Sequence, residues 1–230
     1  MDRLLLRDNI TKLLESIRLT AEKYDRPADA VTLVAVSKTR PANELREAFE
    51  CGLREFGESY LQEALEKIET LADLPLTWHF IGPIQSNKTR PIAVHFDWVH
   101  SVEREKIARR LDEQRPPELP PLQVCLQVNI SGEASKSGAD PDALPALAAA
   151  VMQLPRLQLR GLMAIPARSA DPAQQRAAFA RLRALFEDLR GTHPELDTLS
   201  MGMSGDYRAA IAEGATVLRV GTGIFGPRDG

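Results

Sequence analysis

Cysteine is scarce in this chain: Cys51 and Cys125 are its two thiols in 230 residues, and neither belongs to a CxxC pair. That leaves no disulfide-stapled scaffold or cysteine-based zinc ribbon, and both are expected as free thiols in a reducing compartment. An excess of one charge is also missing. The 29 Lys and Arg face 32 Asp and Glu, a formal net charge of −3. No broad basic field is available for nucleic acid or an anionic membrane. No apolar run approaches the ~20 residues of a membrane span. The opening "MDRLLLRDNITKLLESIRL" breaks its leucines with charges and lacks the apolar centre of a signal peptide. The expectation is a soluble, cytoplasmic protein without membrane or nucleic-acid partners. His79, His95, His100 and His193 have no metal-ligand spacing, so no metal is expected.

What the chain has in quantity is alternation. Residues 3–23 place Leu6, Ile10, Leu13, Leu14 and Ile17 at helical spacing. A strand follows at Thr32–Ser37, then a helix in "ANELREAFECG", and the pattern continues. "LREFG", "LTWHFIG", "FDWVHSV", "LQVCLQVNI", "LQLRGLMAI" and "LDTLSMG" read as strands and "TVLRVGTGIFG" as the last strand and its loop, with helical segments between them. The prolines of "RPPELPP" cannot stay helical and could mark a domain boundary, but alternation resumes at once. Residues 1–230 are therefore read as one domain. Eight strand–helix units after one extra N-terminal helix fit a closed parallel (β/α)8 TIM barrel. The competing open doubly wound sheet usually carries GxGxxG after its first strand, and this chain does not.

A barrel of this kind carries its site at the carboxyl ends of the strands. Period-2 alternation puts Val34, Val36 and Lys38 on one face. Lys38 would then point into the barrel mouth, where apolar neighbours lower an amine's pKa and favour attack on an aldehyde. From position alone, a snorkelling strand-end lysine is the simpler reading. "LSMGMSGD" and "RVGTGIFG" follow the seventh and eighth strands, the usual place for a barrel's phosphate site. Gly202, Gly205, Gly221 and Gly223 permit close backbone approach there, and Ser204 and Thr222 offer hydroxyls. Arg219 shares a face with Gly221 and either enters the mouth or pairs with a core carboxylate. Lysine and phosphate cradle together suggest a phosphorylated aldehyde. Lys88 and Lys136 are weaker candidates for an anionic ligand, Ser86 is a candidate helix cap, and Tyr207 a proton donor or a packing residue.

The motifs "VAVSK", "FGES", "WHFIGPIQSNK", "LQVNISGEASKSG", "RGLMAIP" and "LSMGMSGDYRAAIAEGATVLRVGTGIFG" resemble the pyridoxal phosphate (PLP) homeostasis protein family over about residues 30–227. The resemblance implies a barrel related to the N-terminal domain of alanine racemase, with PLP as a covalent aldimine on Lys38. It implies further that Arg219 lies next to the pyridine nitrogen, that Ser204, Gly221 and Thr222 bind the phosphate, and that Ser200 is nearby. The family usually has "FGEN" where this chain has "FGES". Ser59 is shorter than asparagine and lacks its planar amide, so any contact it makes with the cofactor is expected to be weaker.

The same residues bear on whether the cofactor is used. An arginine at the pyridine nitrogen disfavours its protonation and weakens the electron sink needed for carbanion chemistry. The likeness to alanine racemase ends with the barrel. The second domain, which supplies that enzyme's second base, has no counterpart before Gly230, so the site is expected to be open to water. The resulting expectation is a monomeric PLP binder that buffers or delivers the cofactor, to recipients such as apo PLP-dependent enzymes. No catalytic residue is assigned, and amino-acid and 2-oxo-acid balance is affected indirectly. The alternative is a slow PLP-dependent amino-acid racemase.

Overall fold

The computed structural model describes residues 3–27, 29–132 and 137–227. Eight parallel strands close in sequential order: β1 (Thr32–Val36), β2 (Glu55–Glu58), β3 (Thr77–Phe80), β4 (Trp98–Val102), β5 (Leu122–Gln127), β6 (Leu157–Met163), β7 (Thr198–Ser200) and β8 (Val217–Val220). The seam between first and last strand pairs Val34 with Arg219 and Ala35 with Val220. The (β/α)8 barrel expected from the alternation is the fold observed.

Helices alternate with the strands: α1 (Arg3–Lys23), α2 (Ala42–Glu50), α3 (Leu61–Thr70), α4 (Thr89–His95), α5 (Glu105–Gln114), α6 (Leu144–Met152), α7 (Pro172–Arg190), α8 (Tyr207–Ala212) and α9 (Thr222–Phe225). The extra helix α1 buries Leu6, Ile10, Leu13, Ile17 and Ala21 against α2, α8 and α9. Leu14 lies off that stripe and stays 40% exposed, unlike the sequence reading. The start of α7 follows capping rules: Asp171 accepts from the Ala173 amide at 2.9 Å, and Pro172 occupies the first turn.

The strands are shorter than their apolar runs. β8 stops at Val220, and in the loop expected after it "TGIF" forms the helical turn α9. Burial of Ile224 and Phe225 holds that turn against the barrel. Ser86 opens a 3-10 turn without capping it, since the cap position is Gln85. The proline linker joins α5 to β5. Arg115 is buried at its start and donates to Ala93 O, Phe96 O and Pro120 O at 2.7, 2.8 and 2.9 Å.

The main apolar core fills the layer between the strands and the helices. The barrel interior is different. It carries Glu55, His79, His100, Ser200 and Arg219, the last four of them buried. Both cysteines are free thiols. Among the described residues, no helix is long and apolar enough to cross a membrane, and no His, Cys, Asp or Glu cluster could hold a metal ion.

Candidate cofactor site at the carboxyl ends of the strands

A cavity of about 560 Å³ opens at the carboxyl ends of the strands. Lys38, Ser59, Ser204, Arg219, Gly221 and Thr222 all line it, and Val36, Ile81, Ile165 and Met203 supply its apolar walls. Residues separated by up to 186 positions in the chain (Val36 to Thr222) thus share one space, because the barrel closes β8 onto β1.

Lys38 sits two residues beyond β1, half-buried, and continues the inward face of Val34 and Val36. Its neighbour Ser37 points outward and is fully buried. The Ser37 hydroxyl donates to Glu58 Oε1 at 2.6 Å. Behind it, Lys67 Nζ donates to Ser37 O and to Glu58 Oε1, both at 2.7 Å, and reaches Glu63 as well. On the far side of Lys38 the backbone enters the left-handed region at Thr39, with φ 66°, and the Thr39 amide donates to Glu63 Oε1 at 2.6 Å. A β-branched residue there is strained, so the turn that presents Lys38 is held from both ends. Burial outweighs the pull of Lys67 and keeps the Glu58 carboxyl above the usual range.

The two small-residue loops form the opposite wall. Gly202 has φ 100°, and a Cβ there would lie 2.6 Å from the Ala210 Cβ. Only glycine permits that turn without displacing α8. Asp206 accepts from the Met203 amide at 2.6 Å and fixes the loop. Ser204 Oγ accepts from the Gly223 amide at 3.1 Å, joining the loop after β7 to the start of α9. At Gly221 a Cβ would come 3.2 Å from Val36 O, so the backbone passes close to the end of β1.

Arg219 enters the cavity although it is only 3% exposed. Nη1 donates to Ser200 Oγ at 2.6 Å and Nη2 to Ala164 O at 3.0 Å. Of its two sequence-level alternatives, the geometry selects the mouth, since no carboxylate among the described residues pairs with it directly. Burial brings its pKa down to about 10, against weaker support from Cys125 and Asp206. It remains a cation at neutral pH.

Ser200 is fully buried beneath Arg219, and its Oγ also meets His100 Nδ1 at 2.7 Å. It contacts the cavity through the guanidinium rather than directly. Lys88 is exposed and off the cavity wall, and Lys136 lies outside the described residues. Tyr207 packs against α1, with its hydroxyl 2.8 Å from Ser16 Oγ. Sequence reasoning missed Arg168 and Gln175, which reach the rim from the β6–α7 connection and α7. It also missed Lys67 beneath Lys38. The i, i+4 spacing of Glu63 and Lys67 on α3, shortly after Glu58 ends β2, was the one available signal for that cluster.

The donor set suits a phosphorylated pyridine aldehyde. It offers an amine at one wall, a fixed cationic donor in the floor and a narrow hydroxyl-and-amide corner opposite. The sequence profile described as alanine racemase, N-terminal domain, matches residues 11–229. The chain is 66% identical over 222 residues to the pyridoxal phosphate homeostasis protein of Pseudomonas aeruginosa, covering 96% of this chain and 95% of that one. It is 53% identical over 228 residues to the protein of the same name from Vibrio cholerae, covering 97% of each. PipY of Synechococcus elongatus, whose structure was solved with PLP bound, superposes with a TM-score of 0.83 at 41% identity, covering 96% of this chain and all of PipY. Alanine racemase from Corynebacterium glutamicum, 17% identical with a TM-score of 0.71, shares the barrel fold. Matched along almost its whole length by relatives of one name, the chain belongs to the pyridoxal phosphate homeostasis protein family, built on the barrel of the alanine racemase N-terminal domain.

Proposed function

We propose that this protein binds PLP as a Schiff base on Lys38 and serves intracellular PLP homeostasis by buffering or delivering the cofactor. The observation that carries this reading is the convergence of Lys38, Arg219 and the Ser204–Gly223 corner on one cavity. PLP supplies an aldehyde, a ring that can withdraw electrons and a dianionic phosphate. Lys38 Nζ adds to the aldehyde carbon, and one water leaves as the C=N bond replaces C=O. Ser59 faces the same space, and Ser204, Gly221 and Thr222 hold the phosphate. Ser200 contributes through Arg219.

Arg219 argues against strong catalysis. A permanent cation at the ring nitrogen disfavours protonation there, and the electron sink is correspondingly weak. The cavity opens to solvent past the exposed Ile165 and Arg168, which suits exchange of the cofactor more than protection of a carbanion. In this reading residues 1–230 act as one cytoplasmic, monomeric domain, and apo PLP-dependent enzymes receive the cofactor.

The test is borohydride trapping of the PLP-loaded protein followed by peptide mapping, together with chirality loss across a panel of amino acids. The expected result is a reduced adduct on Lys38 and negligible racemisation. An adduct on another lysine overturns the attachment. Robust turnover that disappears in Lys38→Ala overturns the carrier role.

A further inference from the structure

No carboxylate among the described residues is hydrogen-bonded to Arg219, yet a chain of hydrogen bonds leads from it to one. Ser200 Oγ lies 2.6 Å from Arg219 Nη1 and 2.7 Å from His100 Nδ1. His100 Nε2 lies 2.9 Å from His79 Nδ1. His79 Nε2 lies 2.7 Å from Glu55 Oε2. The chain crosses the barrel interior from the cofactor cavity to a second cavity, lined by Glu55, His79, Trp98 and Arg160 near the amino ends of the strands.

Donor counting fixes its direction. A guanidinium only donates, so Ser200 Oγ accepts from Arg219. The single Ser200 hydroxyl proton is then satisfied by pointing to His100 Nδ1. His100 is completely buried beside Arg219 and a second imidazole, which together hold it well below the ordinary histidine range and therefore neutral. Its one ring proton sits on Nε2 and is donated to His79 Nδ1. His79 accepts there, so its own proton is on Nε2 and goes to the Glu55 carboxylate. The reversed order would leave the buried Ser200 hydroxyl without an acceptor.

Of the surrounding charges, Asp206 acts on Arg219 through space and accepts from the Met203 amide instead of from the guanidinium. The Cys125 thiol is pushed up to about 12 by burial and stays neutral. Arg160 is bound by both oxygens of Asp197, at 2.9 and 2.6 Å, and covers Trp98, on which His79 stacks.

We propose that Glu55, His79, His100 and Ser200 are positioning residues for Arg219, a one-way donor chain that links the buried guanidinium to a carboxylate at the opposite end of the barrel and fixes its remaining N–H groups toward the ring nitrogen of the cofactor. The part played at the cofactor rests on the PLP-binding reading above. The chain itself does not.

Two measurements test it. In apo-protein with 15N-labelled histidine, both imidazoles are expected as the Nε2–H tautomer at neutral pH. An Nδ1–H tautomer, or an imidazolium, at either residue overturns the chain. The second measurement is a double-mutant cycle on PLP affinity. His100→Leu should weaken binding by up to about tenfold, the upper value of one ordinary hydrogen bond, while Lys38 still forms the trapped adduct. In an Arg219→Leu background the same change should have no further effect, and His100→Gln should retain part of the affinity by supplying both an acceptor and a donor. Equal losses in the two backgrounds, or unchanged affinity, overturn the positioning role. Should His100→Leu fail to fold, the tautomer measurement on the unaltered protein still decides the chain. Failure of Lys38 to form an adduct in the unaltered protein sinks the PLP reading separately.

Discussion

Lys67 and Ser37 meet across the outer wall of the barrel: the buried ammonium of α3 donates to the carbonyl that immediately precedes Lys38, at 2.7 Å. The same ammonium neutralises Glu58 at 2.7 Å, inside a layer from which water is excluded. A support for the turn that presents Lys38 is therefore also a buried ion pair. Lys67→Met should cost about 3–5 kcal/mol, because it strands the Glu58 carboxylate. Lys67→Met combined with Glu58→Met should recover much of that loss in chemical denaturation. PLP affinity should remain low in both variants, since neither rebuilds the contact to Ser37.

Lys38→Ala should leave the fold intact, because Lys38 sits beyond the strand and lines an open cavity. The absorbance band of the Schiff base should vanish on mixing with PLP. A spectrum identical to that of the unaltered protein would show attachment elsewhere.

Ser59 lines the cavity, at the position where the family resemblance implies asparagine. Ser59→Asn should tighten PLP binding by about 2- to 10-fold, the gain of one net hydrogen bond of roughly 0.5–1.5 kcal/mol. Equilibrium dialysis against PLP reads this directly. Unchanged or weaker binding would mean that the amide finds no partner here.

His100 makes stability depend on pH. Its folded-state pKa lies below the ordinary value, so below about 6.5 the unfolded chain binds a proton that the folded chain refuses. The His100 contribution is therefore intact above that value and is lost progressively as pH falls toward the folded-state pKa. The slope approaches about 1.4 kcal/mol per pH unit. Denaturant midpoints of the unaltered protein and of His100→Gln should differ in pH slope below about 6.5 and run parallel above it. Parallel curves throughout would mean that His100 is protonated at little cost in the fold.

Much of the site could be read locally. Alternation of apolar runs with helical segments implies crossover connections, and eight of them imply closure. Period-2 alternation carried Lys38 inward with Val34 and Val36, and Arg219 into line with Gly221. Glycines 202 and 221 marked places where the backbone must turn or pass closely. Each of these inferences uses neighbours within a few residues, and the period of a strand or helix is fixed by local backbone sterics.

Partnerships across the barrel depend on something else. Ser200 lies behind Arg219, not on the cavity wall, because the side chains of β7 and β8 interleave in the closed interior. Glu55, His79 and His100 occur in three separate strands, and nothing in their spacing aligns them. Their contacts follow from strand register and from the stagger that closing a sheet imposes. Lys67 reaches Ser37 only because α3 packs over the β1–β2 edge. The placement of Lys38 on the cavity wall was thus written in a single strand and its flanking motifs. What orients the arginine opposite it, and what holds its turn, was set by long-range closure, where burial leaves few polar groups without a partner.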